Sequence, residues 1–301
     1  INFIANNKNI KGVIISTDHH NYNYNYDLEF LMSLSTSELI FNTIIKLSKN
    51  LRKLEKLNIP IVSIISGKVE LGGLEIILHS HYKITDNETS TKFHFKNTTY
   101  ALIPAIGGTQ RLPRQIGINK SLNLLLSNSI LSSEEALEIQ LVDEITNNNQ
   151  LMNRAKEYIS KNKTSSQPWD NKNNINRQPS PFSSGNLGYF ISKIAALHSN
   201  TSDHYPSVKT LISAVYEGLN TDVDSGIKIE ARYFTWLIQH NETRSMIKTL
   251  YLYKPEEEFK KTVLNKFKES FDENFAAEGV RLLLNGVSAA MIENAGKRLG
   301  F

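Results

Sequence analysis

Short β-branched runs alternate with helical patterns in the first half of the chain, and this alternation constrains the fold most. Residues 10–16 and 61–66 are apolar and bounded by polar residues, as buried strands are. Residues 28–57 between them carry apolar side chains at helical spacing, and Pro60 ends that segment. Residues 67–73 are interpreted as a turn, 74–81 as a short helix and 82–85 as a third strand. This order predicts an α/β fold with crossover connections.

The remaining segments are assigned mainly by composition and periodicity. Residues 18–27, rich in asparagine and tyrosine, predict a loop. Ser132 and Glu135 are spaced as a capping box at a helix start. Polar and turn-forming residues dominate 161–186, which we interpret as a linker between a domain at 1–160 and a largely helical extension at 187–254. In the last segment, 255–301, an apolar stripe predicts a packing face: Leu264, Phe267, Phe271 and Phe275.

Composition excludes several classes of protein. The chain has 301 residues, 40% of them apolar and 21% charged, which is typical of a globular protein. Thiol catalysis and disulfides are excluded because the chain has no cysteine. The chain contains no run of 18 apolar residues, so no membrane span is predicted. The net charge of +4 is spread along the chain, so no nucleic-acid partner is predicted, although a basic surface would suit an anionic ligand.

Three motifs occur in a specific order. Residues 66–75 read SGKVELGGLE, residues 103–114 read IPAIGGTQRLPR, and residues 131–136, LSSEEA, precede LVDE at 141–144. Together they resemble the enoyl-CoA hydratase/isomerase (crotonase) family. The resemblance implies an α/β, crotonase-like ββα spiral core followed by a helical C-terminal region. It also implies that the first strands of the domain at 1–160 are missing before Ile1.

A second resemblance covers the rest of the chain. QPWD at 167–170, HYP at 204–206 and EGL at 217–219 are similar to the multifunctional fatty-acid oxidation α-subunit, and 275–287 resembles the start of its C-terminal 3-hydroxyacyl-CoA dehydrogenase domain. The NAD-binding domain expected between them is absent from the sequence, and no G-x-G-x-x-G follows a strand. We therefore predict a coenzyme A thioester as substrate or ligand, without NAD or any other cofactor.

The resemblance also assigns roles to individual residues. Gly72 is expected to donate its N–H to the thioester oxyanion, and Glu75 matches the first catalytic glutamate. Tyr26 stands nearest the position of a companion donor. The second glutamate of the family falls, by spacing, on Asn97, whose amide cannot act as a general acid or base. Tyr26, Gly72, Gly73, Pro104 and Gly107 are the predicted substrate-binding residues.

These departures leave two functions open. The chain is either a catalytically impaired protein kept as a structural or acyl-CoA-binding subunit, or an active hydratase or isomerase using Glu75 and the Gly72 N–H. A gene fragment is a third interpretation. His79, His81 and His94 lack metal-ligand spacing, so no metal site is predicted. The resemblance further implies a homo- or hetero-oligomer, or a subunit of a larger complex. It implies the mitochondrial matrix as compartment, or the cytoplasm in a bacterium.

Overall fold

The computed structural model of the chain describes residues 1–16, 21–22, 26–171, 179–201, 205–252 and 257–298. The strands are Val13–Ile15 (β1), Asn21–Tyr22 (β2), Ile61–Ile65 (β3), Lys68–Glu70 (β4), Tyr82–Asp86 (β5), Lys92–His94 (β6), Ile130–Leu131 (β7) and Glu144–Thr146 (β8). The helices of the first half are Asn2–Asn6 (α1), Leu28–Ser33 (α2), Ser37–Glu55 (α3), Gly72–Ile77 (α4), Gly108–Ile116 (α5), Ile118–Ser127 (α6), Ser133–Glu138 (α7) and Leu151–Lys161 (α8).

The second half is helical, as predicted for the region after the core. Its α-helices are Ser184–Thr201 (α9), Pro206–Leu219 (α10), Val223–Gln239 (α11), Asn241–Met246 (α12), Glu257–Leu284 (α13) and Ala289–Arg298 (α14). A π-helical turn, Ile247–Leu252, follows α12, and short 3-10 helices occur at Asn97–Tyr100, Asn148–Gln150 and Pro168–Asp170.

Successive strands alternate between two sheets. One sheet has the order β1-β3-β5-β8 and is parallel throughout; the other has the order β2-β4-β6-β7, with β7 antiparallel. The chain thus adds one strand to each sheet before the next helical segment, in the units β1–β2–α2/α3, β3–β4–α4 and β5–β6. This repeat is the predicted ββα spiral, and the predicted fold class is confirmed.

The middle strand of the first sheet explains why its sequence lacks alternation. All five residues of β3 are buried, because the sheet is covered on both faces. On one face, Val62 and Ile64 pack with Leu151 and Ala155 of α8. On the other, Ile65 joins the main core, to which α3, α4, α5, α10 and α11 also contribute.

Three local predictions need correction. The turn predicted at 67–73 contains β4, a strand of three residues whose period of two is too short to recognise. The predicted loop at 18–27 contains β2, which pairs in parallel with β4; residues 17–20 and 23–25 lie outside the described residues. The helix predicted over 28–57 is divided at Thr36, whose hydroxyl accepts a hydrogen bond from the N–H of Leu39 and caps α3.

The capping box is confirmed: the hydroxyl of Ser132 accepts from the N–H of Glu135, whose carboxylate accepts from the N–H of Ser132. Within the predicted linker, Gln167 is buried and donates to the carbonyls of His79 and Ser80. The domain boundaries stay predictions. So does the packing role of the C-terminal stripe, in which Phe271 and Phe275 stack on each other, their ring centroids 6.4 Å apart. The side chains of Leu264 and Phe267 lie outside the described residues.

Candidate active site

Three parallel strands end at the same edge of the second sheet. Asn21 of β2 is paired with Lys68 of β4, and His94 of β6 with Glu70. Tyr26, Gly72 and Asn97 therefore follow the carboxyl ends of adjacent strands, where ligands of open α/β sheets bind. The topology brings these predicted site residues to one edge of the sheet.

The turn between β4 and α4 carries an unusual residue. Leu71, the N-cap of α4, has φ 47° and ψ −120°, a conformation that only glycine adopts without strain. The N–H groups of Leu74 and Glu75 donate to its carbonyl oxygen at 3.1 and 3.4 Å. Gly72 and Gly73 lie in the first turn, where main-chain N–H groups lack helical partners. The predicted oxyanion donor thus has the expected helix-terminal position, next to a strained leucine.

Glu75 is fully buried, and main-chain N–H groups engage its carboxylate. One oxygen accepts from Ala105 at 3.2 Å, and the other accepts from Ile106 at 2.8 Å and Gly108 at 3.0 Å. A side chain on Gly108 would prevent this approach, because its Cβ would lie 2.6 Å from Cβ of Pro104 and 3.1 Å from Cγ of Glu75. The loop from Pro104 to Gly108 therefore binds the Glu75 carboxylate through its main-chain N–H groups.

A second buried carboxylate, that of Glu230 in α11, binds main-chain N–H groups of the same loop. Its oxygens accept from the N–H of Gly107 at 2.5 Å and of Thr109 at 2.7 Å, and from the Thr109 hydroxyl at 2.6 Å. Burial and then the charge of Glu230 raise the pKa of Glu75. Burial likewise raises the pKa of Glu230, although its hydrogen bonds with Thr109 and Gly107 oppose the shift. Each of the two buried carboxyl groups therefore disfavours ionisation of the other.

Sequence reasoning did not identify Glu230. A signal was present, because Ile227, Glu230, Ala231 and Phe234 follow the spacing of one helical face. An acidic residue within such an apolar stripe is seldom buried unless it is paired or hydrogen-bonded. The pattern indicates a specific polar partner, but only the fold identifies it as the loop after Pro104.

Asn97 is 2% exposed at the start of a 3-10 helix. Both its amide nitrogen and its amide oxygen are buried without a hydrogen-bond partner in the described part of the chain. Buried polar atoms are normally satisfied, so an unpaired amide here is unusual. The position expected to hold a second carboxyl group therefore holds a buried amide that cannot exchange a proton.

Tyr26 reaches the same loop with its side chain. Its hydroxyl oxygen accepts from the N–H of Ala105 at 3.1 Å, the donor that Glu75 also uses. Its ring packs edge-on against Phe234 of α11, with centroids 5.5 Å apart. Tyr26 thus lies beside Glu75, in contact with the helical extension.

Gly107 has a structural reason to be glycine. Its φ is 105°, in the left-handed region, and a Cβ would lie 1.6 Å from Nη1 of Arg111. Arg111 is fully buried and donates from Nη1 to the carbonyl of Ile106 at 3.2 Å. Its Nε and Nη2 bind the two oxygens of Glu55, each at 2.8 Å. Although burial acts to raise it, the pKa of Glu55 is lowered by the charge of Arg111. Arg111 thus connects the loop to α3.

The three histidines do not converge on this site. Nδ1 of His79 lies 2.8 Å from the carbonyl of Glu75, and burial with the nearby charge of Arg111 lowers the pKa of His79 to about 3. Nδ1 of His81 lies 3.1 Å from the N–H of Ile61, and His94 lies 3.8 Å from Glu70. Across the residues that the structure describes, no three His, Asp or Glu side chains gather as metal ligands would. Over the same residues, no helix has the length and apolarity needed to cross a bilayer.

The fold and this site define an α/β protein of the ββα spiral type, with a buried carboxylate beside a glycine-headed helix. The sequence profile of the enoyl-CoA hydratase/isomerase family matches residues 1–171, more than half of the chain. The chain belongs to this family, as its three motifs predicted.

Curated relatives and solved structures agree. The fatty acid oxidation complex subunit alpha of Vibrio vulnificus (strain CMCP6) is 29% identical over 198 residues, which cover 65% of this chain and 27% of the relative. The same subunit of Shewanella frigidimarina (strain NCIMB 400) is 29% identical over 195 residues, covering 64% and 27%. The matched region thus spans about a quarter of these relatives, both bacterial, and they give no support to the mitochondrial matrix.

Two solved structures share the fold. An enoyl-CoA hydratase/isomerase from Pseudoalteromonas atlantica T6c superposes with a TM-score of 0.56 at 16% identity, covering 85% of this chain and 84% of the other. An enoyl-CoA hydratase from Bacillus halodurans superposes with a TM-score of 0.50 at 20% identity, covering 82% and 84%.

Proposed function

We propose that the chain is a catalytically impaired enoyl-CoA hydratase/isomerase homologue of fatty-acid oxidation, kept as a structural or acyl-CoA-binding subunit. The observation that carries this proposal is the state of Glu75: three main-chain N–H groups occupy both oxygens of its buried carboxylate. A general acid or base must be within reach of the proton it transfers. Here the candidate group supports a loop instead.

The absence of a catalytic glutamate at position 97 supports the same proposal. Adding water across an enoyl thioester requires groups that position the water and move its proton, and each general acid or base contributes roughly 10²–10⁴-fold. Asn97 can orient a water molecule but cannot remove its proton. Leu71 adds strain to the turn that should hold the oxyanion. We therefore expect slow or undetectable hydration.

An active hydratase or isomerase, using Glu75 with the Gly72 N–H, is the second candidate, and one observation favours it. Burial and the charge of Glu230 raise the pKa of Glu75, which extends the protonated form toward neutral pH, as in catalytic general acids. If the loop from Pro104 to Gly108 released Glu75 when a thioester bound, that proton would be available for transfer to carbon.

Turnover of crotonyl-CoA separates the two candidates. Loss of the conjugated enoyl thioester is followed by absorbance for the native chain, for Asn97→Glu, and for Asn97→Gln as a control of similar size without a titratable group. We expect no turnover above background for the native chain and Asn97→Gln. Robust native turnover would refute the proposed impairment. Turnover gained only in Asn97→Glu would support it.

Ligand binding is tested separately. Differential scanning of the native chain with coenzyme A and with butyryl-CoA should show a rise in melting temperature that grows with ligand concentration. No shift with either compound would leave only the structural role. We further propose that the chain uses no NAD and acts as a homo- or hetero-oligomer or as part of a larger complex. We place it in the cytoplasm, because the curated relatives are bacterial.

A further inference from the structure

Five consecutive main-chain N–H groups, from Ala105 to Thr109, are divided between two buried carboxylates. Glu75 accepts from Ala105, Ile106 and Gly108, and Glu230 accepts from the intervening Gly107 and from Thr109. The two sets interleave along the chain. Because adjacent peptide groups share a Cα atom, displacing one of these N–H groups changes the φ and ψ angles that orient its neighbours.

Glu230 reaches this loop from outside the spiral core. It belongs to α11 of the helical extension, and Gln110 holds that extension in place. Gln110 donates to the carbonyl of Ala214 in α10 at 3.0 Å. A Cβ at Gly218 would lie 2.1 Å from its Oε1, and one at Gly226 would lie 2.4 Å from the same atom. The absence of side chains at both glycines lets α10 and α11 pack closely against α5, which sets the position of Glu230.

We propose that Glu230 is a positioning residue for the candidate site: its carboxylate fixes the 105–109 segment, and this segment in turn fixes the carboxylate of Glu75. The helical extension is then part of the site and not an appendage to the core. This inference rests on the proposed function in one respect only, the statement that the site binds an acyl thioester. The positioning of Glu75 does not depend on it.

Two variants separate positioning from simple support. Glu230→Gln keeps the size of the side chain but turns an NH₂ group toward one of the main-chain donors, so one acceptor and the negative charge are lost. Glu242→Gln is the control, since Glu242 is an exposed carboxylate that follows α11 and pairs with His240 at 2.7 Å. The charge of Arg111 of α5 acts on Glu230, and Arg111 in turn binds Glu55 of α3. Both are unchanged in the two variants.

The measurement is a pH titration of the full chain labelled with ¹³C at the glutamate carboxyl carbons, with signals assigned by Glu75→Gln and Glu230→Gln. In the native chain we expect the two carboxyl groups to titrate together. In Glu230→Gln two effects oppose each other: loss of the neighbouring like charge lowers the midpoint of Glu75, whereas a 105–109 segment that no longer holds its N–H groups on Glu75 raises this midpoint and shifts the carboxyl ¹³C resonance of ionised Glu75. Glu242→Gln should leave both unchanged. If Glu230 does not position the segment, the Glu75 midpoint should fall by the full effect of the lost charge while the resonance of ionised Glu75 stays where it is in the native chain, and that result would overturn the inference.

Two further readouts keep the test decisive. If Glu230→Gln does not fold, the native titration decides, since a Glu230 signal that titrates independently of Glu75 would refute the arrangement. Butyryl-CoA should bind Glu230→Gln about tenfold more weakly than the native chain, because binding must then reorder the 105–109 segment. If the native chain binds no butyryl-CoA, the proposed ligand is wrong, while the carboxyl titration still reports on Glu230.

Discussion

Replacing Arg111 with methionine tests whether the motif at residues 103–114, IPAIGGTQRLPR, has a structural role. Arg111 is the largest fully buried side chain, and its guanidinium makes two bonds of 2.8 Å to Glu55, whose side chain is also 0% exposed. In Arg111→Met, the one side-chain bond that Glu55 keeps among the described residues is the 3.0 Å bond to Arg52. Removing one partner of a buried ion pair typically costs about 3–5 kcal/mol, because the other charge stays buried. We expect a loss of that size in the free energy of unfolding.

The double variant Glu55→Leu/Arg111→Met gives the sharper measurement. Both charges are then replaced by apolar groups, a change that is often close to neutral in buried pairs. The carbonyl of Ile106 still loses its donor, and Arg52 loses Glu55 but keeps Asp170 and Asp224; each loss costs about 1 kcal/mol. The double variant should therefore unfold within about 2 kcal/mol of the native chain and be more stable than Arg111→Met.

Urea unfolding followed by circular dichroism measures all three proteins. Arg154→Met is the matched control: Arg154 likewise makes two carboxylate bonds, one to Glu144 and one to Glu157, but its side chain is 43% exposed. It should change stability far less than Arg111→Met, because exposed pairs contribute little. If Arg111→Met cost less than about 1 kcal/mol, or the double variant were less stable than Arg111→Met, the ion pair would not hold the loop as described.

Three further outcomes are expected. Because Glu75 and Glu230 have raised pKa values, the folded chain keeps protons that the unfolded chain releases. The stability that these two protonated groups contribute is present below the ordinary pKa of 4.5 and is lost as pH rises toward the raised values. The melting temperature should therefore fall less steeply with rising pH in Glu230→Gln than in the native chain. Gly218→Ala should destabilise by about 1–3 kcal/mol through overpacking against Gln110, whereas Gly188→Ala, whose Cβ would meet nothing within 4 Å, should not. Asn97→Leu should raise the melting temperature, since it removes two buried, unpaired polar atoms; a lower value would indicate that water or a ligand satisfies this amide.

Sequence patterns predicted the fold well where a signal is local or belongs to a motif. The buried run of β3 and the capping box at Ser132 were located correctly, whereas the helix predicted over 74–81 begins earlier, at Gly72, and ends at Ile77. Strands of two or three residues, such as β2 and β4, were missed because they are too short to show a period of two. Glu230 was missed because its partners lie more than 120 residues away along the chain, a pairing that no local pattern encodes.

The motif that identifies the family is used here mainly to join two parts of the molecule. Gly107 leaves room for the side chain of Arg111, which binds Glu55 of α3. Gln110 packs against Gly218 of α10 and Gly226 of α11 and donates to the carbonyl of Ala214. These tasks require the motif whether or not the site turns over a thioester, so its presence does not indicate activity. Asn97 stands where the family has its second catalytic glutamate, and Leu71 directly precedes the Gly72 donor. The residues that match the family motif are explained by their contribution to stability. Leu71 and Asn97 are not, because Leu71 adds backbone strain and Asn97 buries an amide that is unpaired among the described residues. Gain of turnover in Asn97→Glu is therefore a direct test of whether catalysis was lost at one position while the scaffold stayed intact.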